Sequence, residues 1–274
     1  MSDCGKRVRI NRIFRGPSRK ALVVAFDHAL VLGPIQGTVD PDVQLKRFAE
    51  YGADAVLLNI GILKQCVDSL LSVRAPAIIL RLDWTSLWTA KADSKLISQI
   101  IATPEQALQL GADAVLTYLF VGTGDAEFES REIARNAEIA RECERIGMPL
   151  IVESLARGKL VENPVAPEWM KLHVRIVNEL GADLIKTEYT GDPDSMRDVI
   201  GASLIPVLVL GGERRPSDGD ALKVVHGAVE SGAAGVFFGR NVFQAEDLAG
   251  FLKRARAILD GSEPRELAMA GASE

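Results

Sequence analysis

The 274-residue chain is short of cysteine, histidine and aromatic side chains, and each shortage excludes something. Its three cysteines, Cys4, Cys66 and Cys143, are odd in number, far apart and outside any CxxC pairing. Neither a disulfide framework nor a cysteine-based zinc site is expected, and the pattern fits a reduced cytoplasm. There are only three histidines, with no metal-ligand spacing between them. No apolar run approaches the roughly 18 residues that a membrane span needs, so no membrane association is expected. The N-terminus is basic but lacks the apolar core of a secretory signal. With 5% aromatics, a net charge of −5 and no basic stripe through the body, nucleic acid is not the expected partner. Basic residues do crowd the first twenty positions (Lys6, Arg7, Arg9, Arg12, Arg15, Arg19 and Lys20). An arm of this kind either binds a polyanion or packs on its own domain or a neighbouring subunit.

What the chain has in quantity is Val, Ile, Leu and Ala. Eight short runs of them recur from residue 21 onward, at 21–27, 54–60, 77–83, 113–119, 149–155, 183–189, 206–212 and 234–240. Near-continuous aliphatic runs are what strands covered on both faces look like. Helical patterns lie between them, at 42–51, 63–73, 104–110, 127–146, 167–180, 193–200, 217–231 and 245–259. Four strands are announced by one phrase: Gly52-Ala-Asp-Ala-Val, Gly111-Ala-Asp-Ala-Val, Gly181-Ala-Asp-Leu-Ile and Gly232-Ala-Ala-Gly-Val. Each glycine falls where a helix ends, the position at which a left-handed residue closes the last turn. Eight strand–helix cycles without a linker-like break predict an α/β fold, a (β/α)8 TIM barrel over residues 21–260. A basic lead-in precedes it at 1–20, and a small, polar tail expected to be disordered follows at 261–274. The first strand–helix joint reads Asp27-His-Ala-Leu-Val-Leu-Gly and has no GxGxxG turn, which weighs against a dinucleotide-binding sheet.

In a barrel the chemistry gathers at the C-terminal strand ends. Ionisable residues late in the runs are Asp27, Arg81, Asp83, Glu153, Lys186, Glu188 and Arg240. By period two, Arg81 and Asp83 share a face, as do Lys186 and Glu188, and that face points either to the barrel axis or to the helices. A strand lysine is set in low dielectric, which favours the free amine that attacks a carbonyl to form a Schiff base. The bland alternative for Lys186 is an ion pair with Glu188. Gly211 and Gly212 end the seventh run, and Gly239 with Arg240 ends the eighth, where barrels commonly build a phosphate site. Glu153 is the best-placed carboxylate for acid–base work, with Asp27 assisting. A metal-assisted rival would have to use Asp27, His28, Asp83 and Glu153, and it is disfavoured because no His motif accompanies them.

The residues resemble the class I aldolases of the archaeal fructose-bisphosphate aldolase type, within the deoxyribose-phosphate and tagatose-bisphosphate aldolase superfamily. The resemblance covers about residues 5–260. It is carried by Gly5-Lys-Arg-Val-Arg-Ile-Asn-Arg-Ile-Phe, by Ala25-Phe-Asp-His-Ala with Gly33-Pro-Ile-Gln-Gly, and by Glu153-Ser-Leu-Ala-Arg-Gly. Asp183-Leu-Ile-Lys-Thr-Glu-Tyr, Val207-Leu-Val-Leu-Gly-Gly and Gly235-Val-Phe-Phe-Gly-Arg-Asn-Val-Phe-Gln complete it. It implies that Lys186 is the Schiff-base lysine and Asp27 an active-site acid. It also implies that Gly211, Gly212, Gly239 and Arg240 form the phosphate site, with His28, Arg81 and Glu188 nearby in the substrate pocket. No cofactor or metal is implied, and members commonly form homo-oligomers. The fructose-bisphosphate branch carries a tyrosine acid where this chain has Leu155. Glu153 and the Lys186–Glu188 pair look instead like the tagatose-bisphosphate and sulfosugar-phosphate branch, whose second strand-four lysine is missing from Val115-Leu-Thr-Tyr. The expectation is therefore a metal-independent aldolase acting on a phosphorylated or sulfonated ketose. A coenzyme A acyltransferase, a transaldolase-type enzyme and a non-catalytic sugar-phosphate-binding barrel are the alternatives.

Overall fold

The structure, a computed structural model, describes residues 2–86 and 96–262. Chain order gives ten strands among these residues: β1 (Ala21–Ala25), β2 (Ala55–Leu58), β3 (Ala77–Arg81), β4 (Asp83–Thr85), β5 (Ser98–Ile100), β6 (Ala114–Val121), β7 (Leu150–Ala156), β8 (Leu184–Thr187), β9 (Val207–Leu210) and β10 (Gly235–Phe238). Eight of them close the expected parallel barrel in the order β1-β10-β9-β8-β7-β6-β3-β2, and β4 pairs antiparallel with β5 outside it. The third apolar run is thus two elements. The barrel strand stops at Arg81, and Asp83 opens the hairpin.

The two periodic faces of each strand build two cores. Leu22, Val24, Val56, Leu58, Leu80, Val115, Val152, Ile185 and Val209 face the helices. Ala21, Val23, Ala55, Leu57, Ala77, Ile79, Ala114, Leu116, Ile151, Leu184, Leu208 and Phe237 fill the barrel interior. The inward side is the one on which the polar residues sit, since Arg81, Tyr118, Glu153 and Lys186 each lie two positions beyond an interior apolar residue. Low rungs of the barrel are therefore apolar and the top rung is charged.

At the lower rim the repeated Gly-Ala-Asp phrase has a double use. Gly52, Gly111, Gly181 and Gly232 all have φ between 78° and 87°, the left-handed turn that ends each helix. The aspartates two positions on each take the first free N–H groups of a neighbouring strand: Asp54 from Leu22, Asp113 from Ile78 and Asp183 from Leu150. Each also holds a cation. Asp54 pairs with Arg256, Asp113 with Arg12 at 2.8 Å and Asp183 with Lys6 at 3.0 Å. Arg12 and Lys6 belong to a helix, Ser2–Ile13, which the sequence reading did not foresee because its apolar residues form no stripe. The helix lies under the barrel, where Ile13 and Phe14 join the interior cluster as a floor. Three of the crowded N-terminal cations, Lys6, Arg9 and Arg12, are thus engaged by the barrel itself.

Helix limits depart from the periodic pattern at two places. Helix Ile60–Gln65 gives way to a 3-10 turn, Val67–Leu70, fastened to helix Pro41–Glu50 by Ser69 Oγ donating to Asp42 Oδ1 at 2.6 Å. The last helix begins at Leu248, because the Asp247 side chain caps it through Gly250 N. The tail expected at 261–274 lies, from residue 263 on, outside the described residues.

Candidate active site

The upper mouth of the barrel encloses a cavity of about 610 Å³. Ten of the positions singled out from the sequence line it, Asp27, His28, Arg81, Glu153, Lys186, Glu188, Gly211, Gly212, Gly239 and Arg240, whereas Asp83 does not. Tyr118, Arg157 and Lys159 line it as well.

Lys186 sits at the bottom of this cavity, 5% exposed, with Nζ 2.9 Å from Glu153 Oε1 and 4.6 Å from the centre of the Phe237 ring. Its partner is the carboxylate on the adjacent strand, since β7 and β8 pair Glu153 directly with Lys186. Glu188, the ion-pair alternative for Lys186, lies just past the end of β8 and is taken bidentately by Arg157, at 2.8 Å for both contacts.

Arg81 organises the rest. Its Nε donates to Asp27 Oδ2 at 2.8 Å, Nη2 to Glu153 Oε2 at 2.6 Å and Nη1 to Asp83 Oδ1 at 3.3 Å. Its carbon centre lies 4.0 Å over the Tyr118 ring. Burial alone would push Asp27 and Glu153 toward their neutral acids. For Asp27 burial is the largest single effect, but Arg81, His28 and Lys186 together outweigh it and bring the carboxyl down to about 2. For Glu153 the Lys186 and Arg81 charges together hold it below the usual carboxylate range. Both are therefore carboxylates in the resting site, ready to accept protons. His28 is kept neutral by burial and by the nearby Lys186 and Arg240 charges, against the pull of Asp27.

The opposite wall is made of backbone. Asn241, fully buried, donates from Nδ2 to the carbonyls of Gly211 and Glu213 at 3.0 Å and accepts from Arg215 N at 2.8 Å, which fixes the loop after β9. A Cβ on Gly239 would stand 2.3 Å from His28 Cε1, so the wall can approach the histidine only as glycine. Arg240 points into the cavity with Nε buried and unpartnered, and its one anionic neighbour among the described residues is the exposed Glu213 at 3.9 Å. A guanidinium left this free beside glycines suits a phosphate.

Tyr118 lies inside an aliphatic run, where its inward parity with Arg81 and Lys186 is the signal that marks it. Asp83 lies behind the site, accepting from Tyr118 N and Arg135, and makes no part of the cavity wall. The carboxylates of the metal-assisted rival are thus all held by Arg81, and among the described residues no three His, Cys, Asp or Glu side chains gather as a ligand set.

Fold and pocket together define a (β/α)8 enzyme built around one buried lysine. Comparison with known proteins takes this further. Residues 21–245 match the family model for DeoC/LacD family aldolases. A fructose-bisphosphate aldolase class 1 of Thermoproteus tenax is 34% identical over 248 residues, 88% of this chain and 89% of that one. A 2-amino-3,7-dideoxy-D-threo-hept-6-ulosonate synthase of Halobacterium salinarum is 32% identical over 272 residues, 99% of this chain and 98% of that one. A solved archaeal fructose-1,6-bisphosphate aldolase, with its catalytic lysine covalently bound to the carbinolamine intermediate, superposes with a TM-score of 0.82 at 30% identity, covering 93% of this chain and 99% of that chain. The chain belongs to the DeoC/LacD aldolase family and is a class I aldolase, one that works through a lysine Schiff base.

Proposed function

We propose that Lys186 is the Schiff-base lysine and that the substrate is a phosphorylated ketose, cleaved or built between a dihydroxyacetone-phosphate-like half and an aldehyde. The observation that carries this is the buried Lys186–Glu153 contact at 2.9 Å, in one cavity with Arg240, whose buried Nε has no partner, and its glycines. A proton passes from Lys186 to Glu153 along that contact, and the amine attacks the ketose carbonyl. Glu153 returns that proton to the carbinolamine hydroxyl, water leaves, and the protonated iminium that remains is an electron sink for the neighbouring bond, with Glu153 again a carboxylate. In cleavage the hydroxyl proton of the departing half moves to Glu153. The C–C electron pair flows into the iminium to give an enamine, and the aldehyde leaves. Protonation and hydrolysis of the enamine then regenerate the lysine.

Arg81 acts as a positioning residue. It holds Glu153 and Asp27 ionised and fixed, which is what a base in a buried pocket requires. The two relatives bear on the substrate as well: one is named for a fructose bisphosphate and the other for a dideoxyheptulosonate, so members of the family differ in the sugar they handle.

Borohydride reduction in the presence of dihydroxyacetone phosphate, followed by peptide mass analysis, tests the reading. A stable adduct on the peptide holding Lys186 is expected, and Lys186→Met loses both adduct and turnover while its Tm stays within a few degrees of the parent. An adduct elsewhere, or one that survives in Lys186→Met, overturns it.

A further inference from the structure

Cleavage places negative charge on the oxygen that becomes the aldehyde carbonyl, and a group in the pocket has to donate a hydrogen bond to it. The carboxylates cannot do so. Glu153 Oε1 accepts from Lys186 and Oε2 from Arg81, while Asp27 Oδ2 accepts from Arg81. The Arg81 nitrogens are all engaged by Asp27, Asp83 and Glu153. Lys186 is committed to the iminium. His28 leans on the Gly239 wall with its ring 5.2 Å from Phe243, on the side of Arg240.

One hydroxyl is found among the described residues that line the cavity, that of Tyr118. Strand pairing sets Tyr118 beside Glu153, and Glu153 beside Lys186, so the three stand in one row on the inner face of β6, β7 and β8. The ring is held between Arg81, 4.0 Å from its centre, and Phe120, stacked at 5.0 Å. Among the described residues its hydroxyl has no hydrogen-bond partner, although the backbone N–H of the same residue is tied to Asp83 at 2.6 Å. A ring packed against Arg81 and Phe120, with its hydroxyl left open to the cavity, is built to meet a ligand.

We propose that Tyr118 is a catalytic residue whose hydroxyl donates a hydrogen bond to the aldehyde-side oxygen of the substrate. This rests on Lys186 as the Schiff-base lysine. As the C–C bond breaks, its electron pair enters the iminium, the hydroxyl proton of the substrate goes to Glu153, and the oxygen left behind becomes the aldehyde carbonyl. Tyr118 keeps its own proton throughout and stabilises the alkoxide character of that oxygen. Burial and the surrounding carboxylates push the phenol well above its ordinary value, although Arg81 pulls the other way, and this keeps it a donor at every working pH.

The test separates the two halves of the reaction. Solvent deuterium exchange into dihydroxyacetone phosphate needs the lysine and the base but no aldehyde, whereas condensation of dihydroxyacetone phosphate with D-glyceraldehyde 3-phosphate needs the aldehyde oxygen held. In Tyr118→Phe, exchange and the borohydride adduct on Lys186 are expected within about threefold of the parent. Condensation kcat should fall on the order of 100-fold, the size of losing one donor to a developing oxyanion. Equal losses in both reactions, or a loss of Tm with them, would make Tyr118 structural and overturn the proposal, as would condensation unchanged. Failure of exchange in the parent protein would instead overturn the Lys186 reading beneath it.

Discussion

At the scale of single residues, the pocket divides into groups with saturated contacts and groups left open. Arg81 serves three carboxylates through its planar fork, an arrangement that a lysine, with its compact charge, could not reproduce. Arg240 is the open one, with a buried Nε that has no partner. Its removal should therefore affect binding before chemistry. Arg240→Ala is expected to raise KM for a phosphorylated substrate roughly 10–100-fold, the worth of a charge-assisted hydrogen bond, with kcat close to the parent value. Steady-state kinetics on a phosphorylated substrate and its dephosphorylated analogue will show this, because the variant should narrow the gap between them. The identities of these residues were legible in the sequence, since a charged residue late in an aliphatic run has few other uses. Their partners were not. Glu153, Arg81 and Asp27 are separated by many tens of residues, and it is barrel closure that brings both carboxylates within 3 Å of Arg81.

At the scale of elements, strand–helix alternation and turn chemistry gave the eight cycles, because near-continuous aliphatic runs and left-handed glycines are local signals. The hairpin β4–β5 and helix Ser2–Ile13 were not legible. The first is three residues a side, and the second is held by ion pairs and backbone contacts made at long range. The helix Pro167–Glu179 carries a different kind of long-range contact. Its His173 is 1% exposed, and Nδ1 shares a hydrogen bond of 2.6 Å with Ser154 Oγ on β7. Burial, aided by the Arg157 charge, brings the imidazole down to about 3 from its ordinary 6.5. The unfolded chain therefore binds a proton below pH 6.5 that the folded chain refuses. This stabilisation is complete above pH 6.5 and is lost as the pH falls toward 3. Between pH 6.5 and 5 the loss is up to about 2 kcal/mol. His173→Asn keeps a partner for Ser154 without the titration, so thermal melts from pH 7 to 5 should show a shallower decline for the variant than for the parent. Equal slopes would remove His173 from the account of acid sensitivity.

At the scale of the molecule, the barrel is finished at its lower end by residues outside the repeating pattern. Ile13 is fully buried inside the interior cluster, and Phe14 lies beside it. Ile13→Ala would leave a cavity under the barrel costing about 2–4 kcal/mol, a fall in Tm of roughly 5–15 °C at this chain length. Kinetic constants should be nearly unchanged, because the defect lies at the end opposite Lys186. Differential scanning calorimetry and steady-state assays on one preparation check both halves, and a proportional loss of kcat would mean that floor and mouth are coupled.

The same floor governs traffic. Among the described residues the tube is closed below by Ile13 and Phe14 and lined by apolar rungs, and Lys186 stands at the inner end of the cavity above them. With Lys186 as the proposed Schiff-base lysine, whatever is bonded to it occupies the deep position, and the aldehyde must rest between it and the mouth. Cleavage therefore discharges its products in a fixed sequence, aldehyde first and the lysine-held fragment second, and synthesis fills the tube in reverse.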